Sequence, residues 1–230
     1  MAEDREKQFL QLDSKILSLK DTLIKEVNRA IKESVGEGDL DNYKIVWKQL
    51  QDIALPAIKK VLKENFKEAE FPSKEKKSVY PDLEMVWNRF KIAIDIKSSV
   101  SSKQPEYDIA RLDTVLKKRI HEYDEEYELV IEYDDSTKRL KKMFFEHMRT
   151  TVGFSKKSEG VKFRLYDGKL RPKSWKEFEE GIIYWDTKAK FLEGIKASQR
   201  LRWRILIPMY VSELSEKDKR EFKEFLLSLF

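Results

Sequence analysis

Tyr80-Pro81-Asp82, followed after twelve residues by Asp95-Ile96-Lys97, places two carboxylates and an ammonium where one hairpin could gather them. In the run Ile92-Ala93-Ile94-Asp95-Ile96-Lys97, the period-two alternation of a strand puts Ala93, Asp95 and Lys97 on one face. Ile92, Ile94 and Ile96 take the other. The apolar face is suited to a core and the polar face to chemistry. Two hard oxygen donors suit Mg²⁺, and a lysine two residues from one of them would sit beside the attacking water and the scissile phosphate. That is the constellation of metal-assisted phosphodiester hydrolysis. Asp95 and Lys97 would equally serve as a solvated surface ion pair, since such spacings arise by chance in Lys-rich chains.

The elements that must position these residues are legible around them. Leu83 to Trp87 is a candidate hairpin partner, with Asn88-Arg89 as the turn. Upstream, Phe9, Leu12, Ile16, Leu19, Leu23 and Val27 recur at three-and-four spacing and predict an amphipathic helix over 3–34, stopped by Gly36 and Gly38. A second helix is expected from Asp41 to Phe66, capped by Asp39 or Asp41 and kinked at Pro56. Downstream, a loop over Ser98 to Pro105 leads into a helix from Glu106 to Tyr123, and Tyr127 to Tyr133 reads as a central strand beside the catalytic one. Ser136 is expected to cap a helix reaching Arg149, and Val161 to Tyr166 with Asp167-Gly168 to form a hairpin. Ser174 with Glu177 forms a capping box, and helices follow over Lys188 to Leu206 and Glu216 to Leu229. The expected class is α/β (α+β), with a central mixed sheet flanked by helices and a helical N-terminal region.

The segment Tyr80-Pro81-Asp82, Lys91 to Lys97, and the two hydroxyl residues Ser98 and Ser99 resembles the active-site hairpin of EcoRV-like type II restriction endonucleases in the PD-(D/E)xK superfamily. The close match spans about twenty residues, with weaker similarity over 45–100. The resemblance implies a restriction-endonuclease-like fold and a homodimer in which each subunit cuts one strand of a palindromic site in double-stranded DNA. It implies Mg²⁺ dependence, 5′-phosphate ends, and a cognate DNA methyltransferase in the same system. Asp82, Asp95 and Lys97 take the catalytic places, Asp82 and Asp95 as the metal ligands, and Ser98 or Ser99 would touch the DNA backbone. The family carries a further glutamate on the helix before the hairpin. Counting from Pro56 puts that place on Gln51, with the acid Asp52 one residue along, so no third acid is assigned.

Charge is unevenly distributed. Thirteen Lys or Arg stand against three acids between Thr137 and Lys176, a local net of +10 in a chain whose total is +5. A surface of that kind neutralises phosphates through counterion release. Its candidates for DNA contact are Lys156, Lys157, Lys162, Arg164, Lys169, Arg171 and Lys173, the arginines having the fork geometry to read guanine. A solvated helix face followed by a Lys-rich loop would carry the same charge. Zero cysteines and two histidines disfavour a soft-metal site. The charged N-terminus and the lack of any long apolar run predict neither a signal peptide nor a membrane span, hence a cytoplasmic protein.

At 230 residues the chain is read as a single nuclease domain. Residues 1–38 would form an N-terminal helix able to serve in dimerisation, 39–135 the catalytic core, and 136–230 the DNA-binding hairpin, its loop and the C-terminal helices. Two other functions fit the same residues. One is a structure-specific nuclease of the superfamily, such as a junction resolvase; the other is a non-catalytic nucleic-acid-binding protein.

Overall fold

The computed structural model describes residues 2–35, 43–72, 80–102, 104–134, 136 and 140–221. Its centre is one four-stranded mixed sheet in the order β1 (Leu83–Trp87), β2 (Phe90–Val100), β3 (Glu125–Tyr133), β4 (Leu140–His147). β1 and β2 form the expected antiparallel hairpin, pairing Leu83 with Ile94 and Trp87 with Phe90. Asn88 and Arg89 turn it at φ 47° and 72°. Two consecutive left-handed residues give the turn whose twist matches that of the flanking strands. β2 then pairs parallel to β3, with Asp95 opposite Glu128, and β4 returns antiparallel, with Glu146 opposite Glu128.

Each face of the sheet carries its own core. On one face Ile92, Ile94, Ile96, Leu129, Ile131 and Phe145 pack against three helices, α1 (Ala2–Ser18), α2 (Lys20–Val35) and α3 (Tyr43–Asn65). Each fully buried isoleucine there contributes roughly 1.5–3 kcal/mol. The N-terminal stripe is spent on this core: Leu12, Ile16, Leu23 and Val27 are at most 1% exposed and so are not available to a second subunit. The single helix expected over 3–34 breaks at Leu19, where the chain turns with Leu19 N donating to the Ile16 carbonyl. The proposed caps Asp39 and Asp41, the stops Gly36 and Gly38, and most of the final helix over 216–229 lie outside the described residues.

The other face carries Val130 and is covered by the second half of the chain, through Leu112, Met148, Val152, Val161, Leu170, Trp175, Phe178, Phe191 and Ile195. The helix expected over Glu106 to Tyr123 is shorter than its periodicity suggests. Residues 106–110 are not helical, because Ile109 N donates to the Leu170 carbonyl and Leu170 N to the Ala110 carbonyl. The crossover is completed by α4 (Leu112–Thr114), a π-helical turn (Val115–Arg119) and α5 (Ile120–Glu122). The helix expected from Ser136 to Arg149 is instead β4. Its residues alternate: Met143 and Phe145 join the helical layer, while Phe144 stacks on Trp175 and lies tilted against Phe178 in the opposite layer. An amphipathic helix has one apolar face, so it could not serve both.

Beyond β4 come α6 (Met148–Thr151), the short hairpin β5 (Phe154–Ser155) and β6 (Gly160–Val161), α7 (Trp175–Glu179) and α8 (Lys188–Glu213). The predicted Ser174–Glu177 capping box starts α7, and the Asp167-Gly168 turn closes a bridge between Phe163 and Leu170, with Gly168 at φ 67°. Gly160 lies directly on α8, where a Cβ would run into the Gly194 carbonyl oxygen. Among the described residues no helix is long and apolar enough to cross a membrane.

Candidate active site

Asp82, Asp95 and Lys97 meet on the sheet face opposite the three N-terminal helices. Asp82 immediately precedes β1. One of its carboxylate oxygens accepts from Ile96 N at 2.7 Å, inside β2, and the other accepts from the Gln51 side-chain amide on α3. The carboxyl groups of Asp82 and Asp95 are themselves within hydrogen-bonding reach of each other. Lys97 Nζ lies 2.6 Å from Asp95 Oδ2. Asp95 is 5% exposed, so this is not the solvated surface pair that the spacing alone would allow.

The electrostatics follow from two buried acids sharing one cation. Burial, and then the Asp95 charge, push the Asp82 carboxyl up to about 7. Burial acts on Asp95 in the same direction, but the Lys97 ammonium and the hydrogen bond with Asp82 outweigh it and hold Asp95 below its ordinary range. Asp82 is therefore the carboxyl that keeps a proton when no cation is bound. Burial alone would depress Lys97, and Asp95 and Glu128 together hold its pKa above the ordinary value.

Glu128 is the acid that the sequence reading missed. It stands opposite Asp95 on β3 and is 1% exposed. Thr151 Oγ1 donates to its Oε2 at 2.7 Å, while Oε1 is buried with no hydrogen-bond partner. Burial pushes its pKa up to about 8. The signal was present: Glu126, Glu128 and Glu132 alternate on the face of β3 that continues the face of Asp95 and Lys97. Gln51, where the family would carry a glutamate, does reach the site, as an amide donor to Asp82. Asp52 is exposed. At the margin, the Arg119 guanidinium stacks on the Tyr80 ring, 3.2 Å from its centroid, and the Tyr80 hydroxyl donates to Glu126.

This donor set suits a hard dication. It offers adjacent carboxylate oxygens in excess of the available positive charge, one of which retains a proton that a cation would displace. A second acidic group, Asp13, Glu125 and His147, has ligand atoms within 4.8 Å of one another. Its groups are already engaged with one another and with neighbours: Arg149 lies 2.7 Å from Glu125, and His147 Nε2 lies 2.7 Å from Asp13, which also accepts from the Tyr127 hydroxyl. It fastens α1 to the sheet.

The proposed DNA contacts separate into bound and free. Lys173 is completely buried, 2.9 Å from Glu146 and from the Ile182 carbonyl, so it cannot touch a phosphate. Ser99 is buried as well, its hydroxyl oxygen accepting from Glu106 N, which removes it as a backbone contact; Ser98 is half-buried. Arg164 is paired with Asp167, and Lys169 and Arg171 with Asp108. Lys162 donates to the Gln104 side chain. Lys156 and Lys157 are exposed on the turn between β5 and β6. No protein-family model matches the sequence, and no curated protein matches it significantly.

Proposed function

We propose that the protein is a Mg²⁺-dependent endonuclease of double-stranded DNA, with a restriction-endonuclease-like fold and the activity of a type II restriction enzyme. The observation that carries the reading is the convergence of Asp82, Asp95 and Lys97. Asp82 is clamped by a backbone N–H of the catalytic strand and touches Asp95, which is paired with the Lys97 ammonium. The topology supports it: an antiparallel hairpin carries the acids, and a helical crossover returns the chain parallel to the catalytic strand, where the sequence placed it.

Asp82 and Asp95 would hold the ion. When bound, Mg²⁺ would supply a polarised phosphate oxygen and a water acidified toward neutral pH. The protein's own groups do the rest. Lys97, kept protonated chiefly by Asp95, places positive charge where the phosphate gains negative charge during in-line attack. The Ile96 N–H and the Gln51 amide fix the Asp82 carboxylate so that little reorganisation is needed when its proton leaves. As a type II enzyme the protein would act as a homodimer on a palindromic site, leave 5′-phosphate ends, and be accompanied by a methyltransferase that protects host DNA.

Digestion of sequenced plasmid and phage DNA tests this. Discrete fragments that require Mg²⁺ are the expected result. Cutting confined to branched junctions would favour a resolvase, and no cutting of any DNA by folded protein would overturn the nuclease.

A further inference from the structure

Most of the cations assigned to DNA from sequence are spent within the fold; Lys157 is not, and it faces further unpaired cations on α8. Between the β5–β6 turn and α8 is a cleft of about 730 Å³. Lys157 stands on one wall and Arg200 and Arg204 on the other. None of these three has a carboxylate within ion-pair distance among the described residues, in contrast to Arg164, Lys169, Arg171 and Lys173. Lys190 also lines the cleft, paired with Asp186, and the acids Glu159 and Glu193 leave the lining net positive.

Arg200 and Arg204 are one helical turn apart, about 6 Å along the axis of α8, comparable to the axial rise of roughly two nucleotides of one DNA strand. The floor is rigid, because Gly160 and Gly194 bring the hairpin, α8 and the Trp185 ring into direct contact. Trp185 lines the cleft, and its Nε1 is buried with no hydrogen-bond partner. The aromatic side chains are engaged with one another, Phe154 stacking on Tyr184 at 5.6 Å and Trp185 lying on Gly194. They offer no free platform for unstacked bases, so the chemistry favours the backbone of an intact duplex over a single strand.

We propose that this cleft grips the phosphate backbone of duplex DNA flanking the cut site, through Lys157, Arg200 and Arg204, in place of the hairpin over 160–173. The inference rests on the nuclease reading, and its test separates the two. A short labelled duplex is titrated with protein in EDTA over a range of salt concentrations, read by fluorescence anisotropy, and cleavage is assayed separately with Mg²⁺. Each lost phosphate contact lowers the slope of log K against log salt by about 0.9. Arg200→Gln with Arg204→Gln should therefore weaken binding more than about tenfold at 0.1 M salt and reduce the slope by about 2, for every duplex sequence. Lys157→Gln, on the opposite wall, should reduce it by about 1. Lys118→Gln, which removes an exposed charge that does not line the cleft, should change neither the cleavage pattern nor the affinity by more than about twofold. A wild type that binds duplex, with unchanged affinity and slope in both cleft variants, would overturn the cleft and leave the nuclease standing. A wild type that binds no duplex in EDTA would overturn the cleft, and one that also cuts no DNA with Mg²⁺ would overturn both.

Discussion

Replacing Asp82 by Asn should make the metal-free protein more stable, and the gain should depend on pH. Asp82 has a folded-state pKa of about 7 against a reference of 3.8, raised first by burial and then by Asp95. An acid whose pKa is raised on folding binds its proton more tightly in the native state, so its penalty is absent below about pH 4. It grows as pH rises and is complete above about pH 7. Three pKa units correspond to about 4 kcal/mol, and solvent at the exposed edge of the half-buried group trims this to about 2–3 kcal/mol. Asparagine cannot ionise in either state. It keeps an acceptor for Ile96 N, offers an amide donor to Asp95, and the Gln51 amide can turn to present its oxygen. The variant should therefore melt about 5–10 °C above wild type at pH 8 in EDTA, and within about 2–3 °C of it at pH 4. Added Mg²⁺ should raise the wild-type melting temperature and leave that of the variant unchanged. The assay is thermal unfolding followed by circular dichroism, with EDTA or Mg²⁺, at the two pH values. Destabilisation at pH 8, or an equal shift at both pH values, would refute the reasoning that Asp82 is held in a strained, cation-ready state.

Three further results are expected. Calorimetric titration should show apparent Mg²⁺ affinity rising about tenfold between pH 6 and pH 8, because the ionised fraction of a carboxyl with a pKa of about 7 rises from about 0.09 to about 0.9; a flat profile would exclude Asp82 as a ligand. Glu128→Gln should raise stability by about 3–5 kcal/mol at pH 8 and by less than about 1 kcal/mol at pH 4, since burial lifts Glu128 from 4.5 to about 8 and its penalty accumulates as pH rises between those two values; urea denaturation at the two pH values would expose an error in that sign. Lys173→Met should cost about 3–5 kcal/mol, because it strands Glu146 beside an apolar side chain, while leaving the duplex affinity of the folded fraction unchanged; a selective loss of DNA binding would show Lys173 to be a contact after all.

The parts of the fold that were legible in the sequence are those fixed by local rules. The alternation from Ile92 to Lys97 gave the two faces of β2, and Asn88-Arg89 gave the turn. The apolar run over Tyr127 to Tyr133 gave the parallel neighbour, and Ser174 with Glu177 gave the start of α7. The misreadings have non-local causes. β4 looked helical because Ser136 could cap and the basic residues could line a solvated face; its state is decided by pairing with β3 and by layers on both sides. Residues 106–110 are drawn out of the expected helix by hydrogen bonds to a segment 60 residues later. Lys173 read as a phosphate contact because its partner, Glu146, lies 27 residues upstream and meets it only in the folded chain. Glu128 read as an ordinary strand residue because the layer that buries it comes from residues well beyond the strand. Within the candidate site, the grouping of Asp82, Asp95 and Lys97 on the hairpin was legible, and the acid contributed beside them by the neighbouring strand was not.

The most direct measurement is conversion of supercoiled plasmid by the purified protein with Mg²⁺ and with EDTA, alongside Asp95→Ala. Nicked and linear products that need Mg²⁺ and vanish in the folded variant, while its duplex affinity in EDTA is retained or improved by removal of a carboxylate from beside the phosphate, are the expected result. Equal cutting by Asp95→Ala, or cutting that persists in EDTA, would contradict the assignment of Asp82, Asp95 and Lys97 as the catalytic site.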